Sequence, residues 1–162
     1  MNSKDNEMHK SGNNYNRFFL MLGLSFIAMY ITMYFNTYEI DHVYFSLTRF
    51  YMTCLGISTM AVIMLSLMLK MYRNKKKNIA IYVGSLVLFL GALGLVRAQA
   101  PIVDDVLYMK AMIPHHSIAI LTSKRAEIDD PEVKELAEGI IKAQEKEIAE
   151  MKKLINKLEK EQ

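Results

Sequence analysis

The sequence predicts an all-α protein in which three transmembrane helices precede an antiparallel helical hairpin. Two observations lead to this fold class. Three uncharged apolar runs lie within the first 97 residues, and the remaining residues are charged and amphipathic with helical spacing. We divide the 162 residues into a tail at 1–17, a membrane domain at 18–97 and a hairpin at 98–162.

The three apolar runs are long enough to cross a bilayer. They cover residues 18–35, 50–69 and 79–96, and none contains Lys, Arg, Asp or Glu. A hydrocarbon core about 30 Å thick requires roughly 20 apolar residues in a helix. In water, three such helices would leave a chain of this size too little polar surface to cover them. We therefore expect the lipid bilayer to surround all three.

Methionines recur along one helical face in and after the second run. They are Met60, Met64, Met68 and Met71. Methionine is an adaptable filler of apolar surfaces, and we favour packing as the explanation of this stripe. Transfer of a soft metal ion along the stripe is the alternative, because thioethers bind such ions.

The distribution of charge indicates the orientation of the chain. Residues 70–78 contain five Lys or Arg, whereas residues 36–49 contain only Arg49. The positive-inside rule places residues 70–78 and the N-terminus in the cytoplasm, with the hairpin outside. The net charge of +3 combines +6 for residues 1–97 with −3 for residues 98–162. Because the positive charge follows the topology, we expect no binding of nucleic acid.

The hairpin sequence predicts two helices, at about 102–127 and 131–160. In the first helix, Pro114 removes one backbone hydrogen bond, and we expect a kink there. The second helix starts with Asp130 as its N-cap and Pro131 at its first position. Steps of four and three place eight residues on its predicted seam: Val133, Ala137, Ile140, Gln144, Glu147, Met151, Leu154 and Leu158.

A hairpin of this length is a marginal domain on its own, because it buries little apolar surface. A second copy of the same chain would close a four-helix bundle with two-fold symmetry. The sequence therefore predicts a homodimer. Packing of the hairpin onto the membrane loops of its own chain is the alternative.

A cluster of methionine and histidine in the hairpin indicates a metal site. The first helix offers Met109, Met112, His115 and His116, and the second offers Gln144, Glu147 and Met151. Thioether and imidazole groups together suit copper, especially Cu(I), and imidazole alone suits other transition metals. The single cysteine, Cys54, excludes sites with several Cys ligands. The alternative for the same residues is apolar packing of the methionines and hydrogen bonding of the histidines.

Two spaced motifs in the hairpin resemble those of a known family. The first is Met112-Ile113-Pro114-His115-His116, and the second is Gln144-x-x-Glu147-x-x-x-Met151 after Asp130-Pro131-Glu132. Over residues 102–158 the chain resembles the bacterial family called domain of unknown function 305. The resemblance implies a ferritin-like four-helix bundle. From the family's periplasmic copper-binding members, it also implies copper ligation by Met109, Met112, His115, His116 and Met151.

Two departures from the family pattern affect this comparison. Ser117 and Thr122 stand where the family often has Gln and then Met. This chain also has one hairpin where longer members have two, which again points to dimerisation.

Together these patterns predict a metal-binding protein on the outer face of a bacterial inner membrane. Its expected cofactor is a copper ion used for tolerance or delivery, and an envelope metal-handling protein is a candidate partner. The predicted ligands are Met109, Met112, His115, His116, Glu147 and Met151, with Asp41, His42 and Gln144 as a secondary set.

The same residues give no indication of catalysis. No Glu lies three residues before His115 or His116, so the spacing of a di-iron carboxylate centre is missing. No nucleophile with an orienting base is identifiable either, and we expect no enzymatic activity. The alternative function is an assembly module, in which the hairpin only dimerises the chain or docks a partner.

Overall fold

The computed structural model describes residues 3–99 and 102–161, with side chains from residue 14 onward. These ranges contain five α-helices, one short 3-10 turn and no strand, which confirms the all-α prediction. The helices are α1 (Ser3–Thr32), α2 (Leu47–Leu67), α3 (Lys75–Ala98), α4 (Asp105–Arg125) and α5 (Pro131–Leu158), and the 3-10 turn is Ile40–His42.

Three helices are long and apolar enough to cross a membrane, as predicted. They are Asn14–Thr32 within α1, all of α2 and all of α3. Only 17%, 39% and 17% of the residues in their most apolar windows are buried by the protein itself. Apolar surface that no protein covers favours a lipid environment, because its exposure to water is unfavourable.

The structure divides into two compact units, and the first contains α1, α2 and α3. Its hydrophobic core consists of Tyr15, Phe18, Ala61, Leu65 and Tyr72. Tyr15 Oη donates a hydrogen bond to Asn78 Oδ1 at 2.6 Å, and Asn78 Nδ2 donates to the carbonyl of Tyr72 at 2.7 Å. The side chains of Tyr15 and Asn78 are therefore paired beside this core, whereas the buried hydroxyl of Tyr72 has no hydrogen-bond partner among the described residues.

The second unit combines α4 and α5 with the segment Ile31–Arg49, which consists of the loop between α1 and α2 and the adjoining ends of these two helices. This segment is called the loop Ile31–Arg49 below. Its core consists of Met109, Ile113, Ile120, Ile148 and Ile155. Tyr38 and Tyr44 from the loop pack against this core. The domain division expected from sequence assigned this loop to the membrane part, whereas its contacts join it to the hairpin. Apolar burial explains the difference, since the two tyrosines cover surface that a bare hairpin would leave exposed.

Aspartate caps determine where both hairpin helices begin. Asp104 Oδ1 accepts a hydrogen bond from the backbone N–H of Leu107 at 2.7 Å. Asp130 Oδ1 accepts from the backbone N–H groups of Glu132 and Val133 at 2.9 and 3.0 Å. The predicted cap at Asp130 is confirmed. Because Asp104 caps α4, this helix starts three residues later than position 102.

The buried face of α5 differs from the predicted seam. Ile148 and Ile155 are each 3% exposed and form the seam with Ala137, whereas Val133 and Leu154 are 49% and 42% exposed. The helix carries apolar residues on two adjoining faces, and the spacing alone allowed either to be the buried one. The face of Ile148 packs on α4. The other face, which also includes the 63% exposed Leu136, is left uncovered by the residues that the structure describes.

Candidate metal centre

A pocket of about 490 Å³ lies between α4 and α5 and is lined by five of the predicted ligands. These are Met109, Met112 and His116 from α4 and Glu147 and Met151 from α5. The spacing of four and three residues puts the α4 donors on one face, as the sequence predicted. The helix continues through Pro114 without ending. The structure therefore brings three thioethers, one imidazole and the Glu147 carboxylate to a single pocket, which Asp105 and Glu150 also line.

The three sulfur-bearing side chains differ in depth. Met109 is buried and belongs to the hydrophobic core of the hairpin. Met112 and Met151 are half-buried, and Met151 packs against the same core. The deepest part of the pocket is therefore apolar and contains methionine sulfur. Sulfur in apolar surroundings is the type of donor that soft metal ions prefer.

His116 and Glu147 form the polar part of the pocket. His116 Nδ1 lies 3.0 Å from Glu147 Oε2. The two groups are not aligned for hydrogen bonding, and Nδ1 is a buried nitrogen without a hydrogen-bond partner among the described residues. Burial lowers the pKa of His116, the charge of Glu147 acts in the opposite direction, and His115 lowers it further. A neutral imidazole keeps a lone pair that can bind a metal ion.

Two other predicted residues lie outside this pocket. His115 is exposed, and its ring centroid is 6.0 Å from that of His116. Gln144 lines a separate depression on α5, together with Leu136 and Ile140. The one-residue step from His116 turns His115 away by about 100°, which explains its place.

The secondary candidates Asp41 and His42 belong to a second cluster, in the loop docked on the hairpin. One oxygen each from Glu39 and Asp41 and one nitrogen of His42 lie within 4.8 Å of one another. His42 is only 6% exposed. Its Nδ1 lies 3.0 Å from Ser117 Oγ on α4. An aspartate–histidine pair in a loop is expected to be solvated, and this pair is instead part of a packed cluster.

Sequence reasoning missed two members of the second cluster. Glu39 lies three residues before His42, and this spacing within one loop was a usable signal. Ser117 is 75 residues away from His42 in sequence, and no pattern in one sequence connects the two. Its contact depends on how the loop packs against α4.

Charge around the second cluster is partly compensated. Lys152 on α5 donates to Asp41 Oδ2 at 2.5 Å, and this hydrogen bond lowers the pKa of Asp41. Burial lowers the pKa of His42, and Lys152 lowers it further, while Asp41 and Glu39 act in the opposite direction. Two carboxylates and one ammonium group leave one negative charge beside a neutral imidazole.

Comparison with known proteins supports the resemblance seen in the hairpin. A family model described as "Domain of unknown function (DUF305)" matches residues 98–162. The chain is 35% identical over 140 residues to "Uncharacterized protein L153" of Acanthamoeba polyphaga mimivirus, which is 85% of this chain and 90% of that protein. No solved structure matches the chain. The similarity to the viral protein is longer than the matched domain and extends into the apolar helices. The chain therefore belongs to the domain of unknown function 305 family, with that domain preceded by three membrane-length helices.

Proposed function

We propose that this protein binds a soft metal ion, foremost Cu(I), in the pocket between α4 and α5. The single observation that carries the proposal is the convergence of three thioethers and the buried Nδ1 of His116, beside the Glu147 carboxylate, on one pocket. Thioether and imidazole donors favour Cu(I) over hard ions such as Mg²⁺ or Ca²⁺. Binding for tolerance or delivery, without catalysis, is the role that this donor set suits.

The polar residues of the pocket also favour a cation. His116 Nδ1 is removed from water and has no hydrogen-bond partner among the described residues, which is a desolvation cost. Glu147 places a carboxylate 3.0 Å from that nitrogen. A positive ion would compensate the carboxylate and use the lone pair of the imidazole. Apolar packing explains Met109 in the core, and an ion pair is the alternative explanation for His116 with Glu147.

We assign the pocket to the outer side of a membrane, as in a bacterial inner membrane. The Lys-rich segment 70–78 between α2 and α3 supports this orientation, since basic loops stay in the cytoplasm. One crossing, through α2, separates residues 70–78 from residues 31–49, and one crossing, through α3, separates them from α4. A metal-handling protein of the envelope would then be a suitable partner for exchange of the ion.

A competitive Cu(I) titration of the full chain in detergent, under reducing conditions, tests the proposal. We expect one tightly bound ion per chain and at least a tenfold loss of affinity in the double variant Met112→Ala, His116→Ala. His115→Ala is the matched control, because it removes the neighbouring imidazole from outside the pocket. Equal affinity in the wild type and the double variant would refute the assignment of the pocket.

A second candidate function, assembly, is favoured by the uncovered apolar face of the hairpin. Val133, Leu136 and Leu154 on α5 are exposed, and Tyr108 on α4 is 56% exposed. We propose that a second copy of the chain covers this face and completes a four-helix bundle. Leu154 also lines the metal pocket, so the proposed interface would adjoin the bound ion. The two proposed functions can be distinguished by testing whether dimerisation depends on bound metal.

A further inference from the structure

The loop Ile31–Arg49 is held on the hairpin by direct polar contacts. The backbone N–H of Tyr38 donates to Ser117 Oγ at 2.7 Å, and Lys152 donates to Asp41 Oδ2 at 2.5 Å. Tyr44 packs against the hairpin core. These contacts keep residues 39–42 in one place on α4 and α5. Their side chains therefore form a fixed cluster, unlike those of a solvated loop.

His42 directs its Nε2 toward two carboxylates in this cluster. Its Nε2 lies 3.7 Å from Glu39 Oε2 and 3.7 Å from Asp41 Oδ1. Both distances exceed that of a hydrogen bond, so Nε2 of this 94% buried residue has no hydrogen-bond partner among the described residues. An imidazole nitrogen that faces two carboxylate oxygens is the arrangement that a bound cation would complete.

The outer contacts of the cluster orient its donor atoms. Ser117 Oγ lies 3.0 Å from Nδ1 of His42, which holds the ring with Nε2 toward the carboxylates. Lys152 donates a hydrogen bond to Oδ2 of Asp41, and Oδ1 of the same carboxylate faces His42. Hydrogen bonds of this kind, made by the atom that does not bind the ion, orient the ligands of protein metal sites.

We infer that Glu39, Asp41 and His42 form a second cation site, for a divalent transition-metal ion such as Zn²⁺. One nitrogen and two carboxylate oxygens are donors that borderline divalent ions accept, whereas the pocket between α4 and α5 adds three thioethers to its imidazole and carboxylates. After Lys152 is counted, the cluster retains one negative charge, which favours a cation. Three protein ligands would leave a coordination position open to water or to a transferred ligand.

Zn²⁺ titration of the full chain in detergent, against a chelator of known affinity, tests this site. All chains carry Met112→Ala and His116→Ala, so the pocket between α4 and α5 cannot supply the signal. We expect one Zn²⁺ to bind and Glu39→Gln to weaken it at least about tenfold, since even outer partners of metal ligands contribute about 10–100-fold. His42→Ala is expected to abolish binding.

Glu145→Gln is the matched control. Glu145 is also a carboxylate paired with a lysine of the hairpin, at 2.8 Å from Lys124, but it lies outside the cluster. Hydrogen exchange at the Tyr38 amide reports whether the loop remains docked in each variant. Zn²⁺ affinity that is unchanged by both Glu39→Gln and His42→Ala would overturn the inference, and so would the absence of Zn²⁺ binding in the parent.

The second site can be tested independently of the proposed Cu(I) pocket. His42→Ala in the otherwise unaltered chain should leave the Cu(I) affinity unchanged. Loss of Cu(I) binding in Met112→Ala, His116→Ala should likewise leave the Zn²⁺ site intact. A chain that binds Zn²⁺ at the loop and no Cu(I) would support this inference and refute the proposed function.

Discussion

Single residues in this protein owe their roles to small differences in position. His115 and His116 are neighbours in sequence, yet only His116 lines the pocket with Met109 and Met112. Ser117, the next residue, faces a third direction and contacts the loop through Tyr38 and His42. Three consecutive residues of α4 thus face three surroundings: His115 faces the solvent, His116 the proposed metal pocket and Ser117 the docked loop.

We predict that acid loosens the docked loop of the metal-free protein. Burial is the largest cause of the lowered pKa of His42, whereas an undocked loop would have the ordinary pKa of about 6.5. The undocked state therefore binds more protons as the pH falls below about 6.5, and docking becomes less favourable. The protection factor of the Tyr38 amide, which corrects for intrinsic exchange, should fall between pH 7 and pH 5.

The control for this effect is the His42→Gln variant, which has no titrating ring. Its Tyr38 protection factor should be independent of pH over the same range. Equal pH dependence in the wild type and in His42→Gln would contradict the assignment to His42. Chelator is present throughout, so that metal release does not contribute.

At the scale of helices, the sequence identifies α5 well and its buried face poorly. The Asp130 cap and Pro131 are local signals, and each acts through backbone atoms within three residues. The choice between the face of Ile148 and the face of Leu154 depends instead on what α4 presents. That information lies across the hairpin, and so the predicted seam mixed residues from both faces.

The buried face can be tested by paired alanine substitutions in α5. Ile148→Ala should lower the free energy of opening the hairpin by about 2–5 kcal/mol, because it leaves a cavity in a packed core. Val133→Ala should change it by less than about 0.5 kcal/mol, as for most surface positions. Native-state hydrogen exchange of α5 amides, at concentrations where the chain is monomeric, measures both. Equal losses in the two variants would contradict the register.

For the whole molecule, the membrane helices and the hairpin were predictable, because each is determined by the composition and the spacing of apolar residues within one segment of the chain. The apolar windows of α2 and α3 require no knowledge of their neighbours. The docking of Ile31–Arg49 on the hairpin was not predictable in detail, since it joins residues 75 to 111 positions apart. The second cluster depends on that docking, whereas the pocket between α4 and α5 depends on one hairpin, and five of the residues named from the sequence line it.

Association of two copies is the prediction that concerns the whole molecule. Sedimentation equilibrium of the full chain in detergent should detect a dimer, and Leu136→Glu should convert it to monomer by placing charge in the proposed interface. Leu67→Ala, on the apolar surface of α2, is a control for effects of detergent. A purely structural interface would survive chelator, whereas a metal pocket adjoining the interface would link dimerisation to Cu(I). A monomer under all conditions would exclude the four-helix bundle.

The joint packing of Ile31–Arg49 with α4 and α5 has a practical consequence for work on this family. The segment recognised by similarity, residues 98–162, is shorter than the segment that folds together. A fragment cut at residue 98 would lack Tyr38 and Tyr44, and part of the hairpin core would become an exposed apolar surface in solution. Affinities and oligomeric states measured on such a fragment would describe an incompletely folded unit. A fusion that tethers residues 31–49 to the hairpin would be the smallest fragment that contains the whole unit.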